Sequence, residues 1–279
     1  MTLFRLIKYD IKNGIFLSWH KLLIGVLYAV SSCIILDKQI QNAVDAKYLS
    51  SALNASVFDY LCNIFKGIDR YNFNVKGGFQ IPALWCLFFV CYFFIIGRYI
   101  VNDLYGFGTN ILLKSKSRRA WWISKCIWVF TTAFVYYFII VVTVIVYCGL
   151  KNNVSFCITK EILAFHVSAN LWVAELNLRV TLLVLPILVL FTMGILQITI
   201  SLLISPIVGL LAIIGFLVAS IYFYAPVLVG NFMILKRSEA VIGGFANSTN
   251  AFIYCLLMAT IAFFVGLIWF ERKDILKNE

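Results

Sequence analysis

Six basic residues crowd into residues 98–125, at Arg98, Lys114, Lys116, Arg118, Arg119 and Lys125, with one carboxylate, Asp103, among them. Such a set attracts and orients; it has no partner residues with which to catalyse. Proton transfer or nucleophilic attack inside a membrane needs titratable groups gathered within the apolar segments, and none stands at mid-depth. Arg98 and Asp103 close one apolar run and Lys125 opens the next. All three therefore read as interfacial anchors, which escape the roughly 2.5–3.5 kcal/mol cost of a charge at the bilayer centre. His20 and His166 fall in separate segments on opposite faces and cannot share a metal. The eight cysteines form neither a CxxC nor a Cys/His ligand set, so no metal or redox site is expected. Whether Cys62 and Cys157 pair is left open. No GxxxxGK[ST] sequence is present, and Gly106-Phe107-Gly108 is a lone turn, so the chain has no phosphate-binding loop of its own. Catalytic residues, metal and cofactor are all expected to be none.

The elements that must position the basic cluster are apolar. At 63% hydrophobic and 13% charged residues, the chain departs far from the roughly one-quarter charge of soluble domains. Runs of about 20 apolar residues mark membrane spans, and six candidates emerge, at 19–36, 82–104, 123–150, 180–204, 206–224 and 251–270. The fold class is an all-α membrane protein, a single transmembrane domain over 1–279. The net charge of +11 lies beside the spans, so it faces anionic lipid and not nucleic acid.

Thirteen basic residues fall at the N-terminus, in 98–125 and in 271–279, whereas the loop 37–81 is nearly neutral. Lys and Arg mark the cytoplasmic side; six spans with both termini cytoplasmic satisfy that rule throughout. Residues 1–21 read as an interfacial helix, with Phe4, Ile7, Ile11 and Ile15 on one face. Residues 161–177 read as a second interfacial helix, outside. The stretch 226–250 is apolar but broken by Gly230, Gly243 and Gly244, and reads as re-entrant outer helices, tolerated where protein covers the backbone. The loop 37–81 is too irregular for a core of its own. Between spans, Phe107, Ile111 and Leu112 recur at helical spacing, so the cytoplasmic loop holds a short surface helix. That helix either anchors the spans or docks a soluble partner. Among the aromatic and weakly polar span residues, Phe89, Tyr92, Phe93, Gln197, Thr199 and Tyr222 are candidates for a path taken by an amphipathic molecule.

This arrangement resembles the membrane subunit of a bacterial ABC exporter, the ABC-2 type permease. In that family an N-terminal elbow precedes six spans, a coupling helix between spans two and three docks on the ATPase, and re-entrant helices precede the last span. The matching stretches are 1–21, 106–119 and 226–250, and LLKSKSRRAWWISK (112–125) resembles the family's Arg-rich entry into span three. The resemblance implies coupling through Asp103, Tyr105, Gly106, Phe107, Gly108, Ile111, Leu112, Arg118 and Arg119. It implies two ATP-binding subunits carrying the ATP and Mg, and a second permease copy or paralogue. It also implies a place in the cell inner (plasma) membrane and a peptide, antibiotic or lipid-like cargo. The outer segment 151–177 is longer than the family pattern. The competing expectation is a stand-alone channel or scaffold not coupled to ATP.

Overall fold

The computed structural model describes residues 3–49, 54–71, 81–97, 99–105, 117–167, 175–239 and 244–272. Among them every regular element is helical: α1 (Leu3–Ile11), α2 (Leu23–Asp45), α3 (Val57–Phe65), α4 (Ala83–Gly97), α5 (Tyr99–Tyr105), α6 (Arg118–Leu150), α7 (Lys160–Val167), α8 (Glu175–Leu203), α9 (Pro206–Tyr222) and α10 (Ser248–Arg272). Four stretches are long and apolar enough to cross a membrane: Trp19–Asp45, Arg118–Leu150, Leu178–Leu203 and Ser248–Arg272. The other two expected spans are shorter helices, α4 of 15 residues and α9 of 17. At about 1.5 Å per residue α9 reaches only some 26 Å, less than the ~30 Å hydrocarbon core. Within the expected span at 82–104, α4 runs to Gly97 and α5 from Tyr99, and residue 98 between them lies outside the described set.

α4 is apolar on every side, the mark of a helix with no water-facing side. It lies among α2, α8 and α9 with Trp85, Phe88, Phe89, Tyr92 and Phe93 fully buried. α6 is antiparallel to both α4 and α8. The Tyr136 hydroxyl donates to Phe88 O and Tyr92 to Val129 O, while Tyr137 donates to Leu182 O. The last bond solves a local problem. Pro186 sits inside α8 and has no N–H for the carbonyl four residues back, and that carbonyl belongs to Leu182. The bundle therefore has one end where α6 begins and α8 finishes, and another where α6 finishes and α4 begins.

In α1 the inward residues are Leu6 and Asp10, continued by Gly14 and Ile15, whereas Phe4 is 75% exposed. The expected apolar row therefore splits: Phe4 faces outward, while Ile15 is buried where α1 lies on α6 and Gly14 meets the Trp128 ring. A Cβ at Gly14 would come within 2.1 Å of Trp128 Nε1. The loop 37–81 is also more ordered than expected. α2 runs on to Asp45, and all nine residues of α3 are buried. Ser56 and Asp59 form a reciprocal capping box at its start, which satisfies two otherwise orphaned N–H groups. The described part of 226–250 forms short 3-10 helices at Val229–Met233 and Leu235–Arg237, and Met233 O accepts from Trp85 Nε1 at 3.2 Å. Of the expected helix at 161–177, Lys160–Val167 forms α7 and residues 168–174 lie outside the described set.

Candidate functional site

Three helices converge where α6 begins. Ser117 caps α6 by accepting from Ala120 N at 3.3 Å, and Trp121, Ser124 and Lys125 fall within the next two turns. On α5, Tyr99 and Asp103 are four residues apart and so share a face. From α1 comes Asp10. The Lys125 ammonium lies 2.5 Å from Asp10 Oδ1 and 2.6 Å from Asp103 Oδ2. Ser124 Oγ donates to Asp10 Oδ2, and the Tyr99 hydroxyl to Asp10 Oδ1 at 3.0 Å. The rings of Tyr99 and Trp121 flank the ammonium, each centroid 4.9 Å away.

All three charges are out of solvent, with Lys125 at 1%, Asp10 at 2% and Asp103 at 8% exposure. Lys125 and Asp103 are therefore buried partners and not the interfacial anchors expected of residues at span ends. The reason is Asp10, which α1 brings back against α6. Two carboxylates against one ammonium leave a formal charge of −1 in the cluster. Burial, followed by the fields of Asp103 and Asp10, raises the Tyr9 phenol above its ordinary value.

The cluster extends sideways. Trp121 stacks on Phe270 of α10 at 4.6 Å. Arg118 Nη1 donates to the carbonyls of Phe270, at 3.4 Å, and Glu271, at 2.8 Å, and Arg119 pairs with the Glu271 carboxylate. Cations at a helix C-terminus favour its exposed carbonyls, so both arginines tie α6 to the end of α10. The Trp122 ring also meets α10, where a Cβ on Gly266 would come within 2.3 Å of Trp122 Cζ2.

Of the residues expected to couple, Asp103 belongs to the cluster, Arg118 and Arg119 flank it, and Tyr105 ends α5. Gly106, Phe107, Gly108, Ile111 and Leu112 lie outside the described residues. The candidate path residues other than Tyr222, which is half-buried, are packed inside the chain. Phe89, Tyr92 and Phe93 are fully buried, Gln197 Nε2 donates to Phe93 O at 3.1 Å, and Thr199 Oγ1 donates to Ala262 O at 3.2 Å. The Tyr222 ring lies 4.6 Å from that of Tyr71. Cys62 is buried and Cys157 exposed, both as free thiols.

A second buried cation, Arg237, sits at the opposite end. It is 0% exposed, yet its guanidinium donates to neutral oxygens. Nη1 donates to Ser220 O at 2.8 Å and to Asn231 Oδ1 at 2.6 Å. Nη2 donates to Ile221 O and to Asp69 O, and Nε to Ile68 O. Ser220 and Ile221 belong to the last turn of α9, whose carbonyls lack helical donors. Burial lowers the guanidinium to about 10, so it remains charged at neutral pH. Sequence reasoning passed over Asp10, Tyr99, Ser124 and Arg237. The available signal was Asp10 itself, the only carboxylate in the first 36 residues.

The cluster ties α1, α5 and α6 together through side chains from all three. Among the described residues no group of three or more His, Cys, Asp or Glu side chains could hold a metal ion. Compared with family models, curated proteins and solved structures, the chain has no match.

Proposed function

We propose that this chain is the membrane subunit of an ATP-driven exporter of the ABC-2 type, moved by force from a separate ATP-binding subunit. On this reading six segments cross the plasma membrane: the four long helices, α4 continued through α5, and α9. α1 is the cytoplasmic elbow, both termini are cytoplasmic, and the turns of 226–250 form the re-entrant outer part. Two ATPase subunits supply the ATP and Mg, and a second permease copy or paralogue completes the conduit. The packed aromatic core favours a path between two chains over one through a single chain. The cargo is amphipathic: a peptide, an antibiotic or a lipid-like molecule.

The observation that carries this reading is Lys125 bridging Asp10 and Asp103. α5 leads directly into residues 106–116, the expected docking segment. Any push on that segment pulls Asp103 against Lys125 and is passed to α6 and, through Asp10, to α1. Buried ion pairs are weak arguments for stability, because removing charge from water offsets much of the attraction. A three-charge cluster that adds little stability is better explained as a latch.

The test is co-purification of the intact chain with a P-loop ATPase, followed by transport assays in vesicles. Disrupting Phe107 or Leu112 by alanine should leave insertion and assembly intact, while ATP hydrolysis continues and transport falls at least tenfold. Normal transport by both variants removes the docking segment from the mechanism. Full activity with no ATPase present removes the exporter reading altogether.

A further inference from the structure

Near the end of the bundle that holds Arg237, a cavity of about 430 Å³ opens between α2, α3 and α4, within the range of small-molecule sites. It is bordered by two buried polar atoms of opposite kind, the donor Asn63 Nδ2 and the acceptor Gln39 Oε1, and neither has a partner among the described residues. Asn63 is only 3% exposed. Buried polar atoms are nearly always paired, and an orphan asks for a missing ligand or water. Here a donor and an acceptor stand unpaired beside the same space, so the occupant must both accept and donate.

Charge narrows the choice. Lys66, which follows α3, lines the cavity. Charged groups acting on it include Lys236 and Asp69, themselves paired at 2.6 Å, and together the three carry one net positive charge. Burial first, and Lys236 second, lower the Lys66 ammonium from its ordinary value against the opposing pull of Asp69. A single negative group in the cavity would offset both effects. Shape narrows it further. Below Gln39 on the same face of α2 lies Ile35, and across from it Leu87 of α4. They are 37% and 46% exposed, so the polar pocket continues into an apolar face.

We propose that this cavity holds the headgroup of one anionic glycerophospholipid of the phosphatidylglycerol type. Asn63 Nδ2 and the Lys66 ammonium would meet the phosphate, Gln39 Oε1 would accept from a headgroup hydroxyl, and an acyl chain would lie along Ile35 and Leu87. The inference goes beyond the exporter reading and stands whether or not an ATPase is coupled to the chain.

The intact chain, with any subunits that accompany it, is delipidated in mild detergent and titrated with dioleoylphosphatidylglycerol or dioleoylphosphatidylcholine. Retention is read by native mass spectrometry. One phosphatidylglycerol per chain should be held at least tenfold more tightly than phosphatidylcholine, which carries a phosphate but no hydroxyl donor. Lys66→Gln should weaken it about tenfold and Gln39→Leu several-fold, with the lipid-free melting temperature unchanged. Asn63→Asp, which keeps the side-chain size and sets a carboxylate against the phosphate, should abolish the preference. Equal retention of the two lipids, or binding indifferent to both Lys66→Gln and Gln39→Leu, overturns the proposal. So does displacement by millimolar inorganic phosphate, which would mark a site for a soluble anion.

Discussion

Where α6 begins, Lys125 faces Asp10 and Asp103 as charge against charge, each side chain delivered by a different helix. At the other end, buried charges rest on backbone dipoles. Arg237 is held by the carbonyls of Ile68, Asp69, Ser220 and Ile221. Asp59 shows the same device with the sign reversed, accepting from the backbone N–H groups of Ser56 at 2.9 Å and Thr159 at 3.0 Å. A side-chain pair can part by rotation about single bonds, and its members can find water or new partners. A charge held by carbonyls at a helix end cannot leave without undoing that end. The two ends thus differ in how their charges are held, and on the exporter reading proposed above the first would be the lever and the second its frame.

The largest effect should come from Arg237→Leu. It strands several buried carbonyl oxygens, each worth about 1–3 kcal/mol when unpaired, and the loss should reach on the order of 5 kcal/mol. The check is the thermal midpoint and the folded yield in detergent. Acidification should not rescue this variant, because backbone carbonyls do not titrate. Next in size is Lys125→Ala, at about 3–5 kcal/mol, the usual cost of removing one member of a buried ion pair. Here two carboxylates are left facing each other, and like charges at close range favour protonation of one of them. Lowering the pH should therefore recover part of the lost midpoint. If both variants respond alike to acid, the contrast between the two ends fails.

The combined variant Asp10→Asn, Asp103→Asn, Lys125→Met sharpens the contrast further. Replacing a whole buried ion cluster is often neutral or mildly stabilising, so the melting temperature should stay within a few degrees of the parent. If the exporter reading holds, transport coupled to ATP hydrolysis should nonetheless fall at least tenfold. A variant that is as stable and as active as the parent would reduce the cluster to ordinary packing.

The sequence made the helical, apolar character legible because hydropathy needs only runs of residues. It placed α6, α8 and α10 to within a few residues. The charge cluster was only half legible. Asp103 and Lys125 are visible at the ends of apolar runs, but their burial depends on Asp10, which is 115 positions from Lys125. No local pattern reports such a return of the chain. The row from Phe4 was legible as apolar, but which of its members the chain covers was not: Phe4 is exposed and Ile15 buried, because tertiary packing decides that. α3 was legible in principle, since Ser56 followed three positions later by Asp59 is a helix-start signal. The short length of its apolar run hid it among loop residues.

The smallest effect tests the frame through Asp59→Asn. An amide presents one acceptor oxygen where the carboxylate presents two, so either the Ser56 or the Thr159 N–H loses its partner, at about 1 kcal/mol. The sign with pH is the informative part. Burial raises the Asp59 carboxyl above its usual value, outweighing the opposing hydrogen bonds from Ser56 and Thr159. In the window between the unfolded and folded values the folded state binds the extra proton, so stability falls as pH rises. The advantage of the parent over Asp59→Asn should therefore be fullest below the ordinary carboxylate range. It should be lost as pH climbs through the raised value, as melting curves taken from pH 4 to pH 7 would show. An advantage that grows toward neutral pH would mean that the backbone donors outweigh burial at Asp59. Charge would then be held there as firmly as at Arg237.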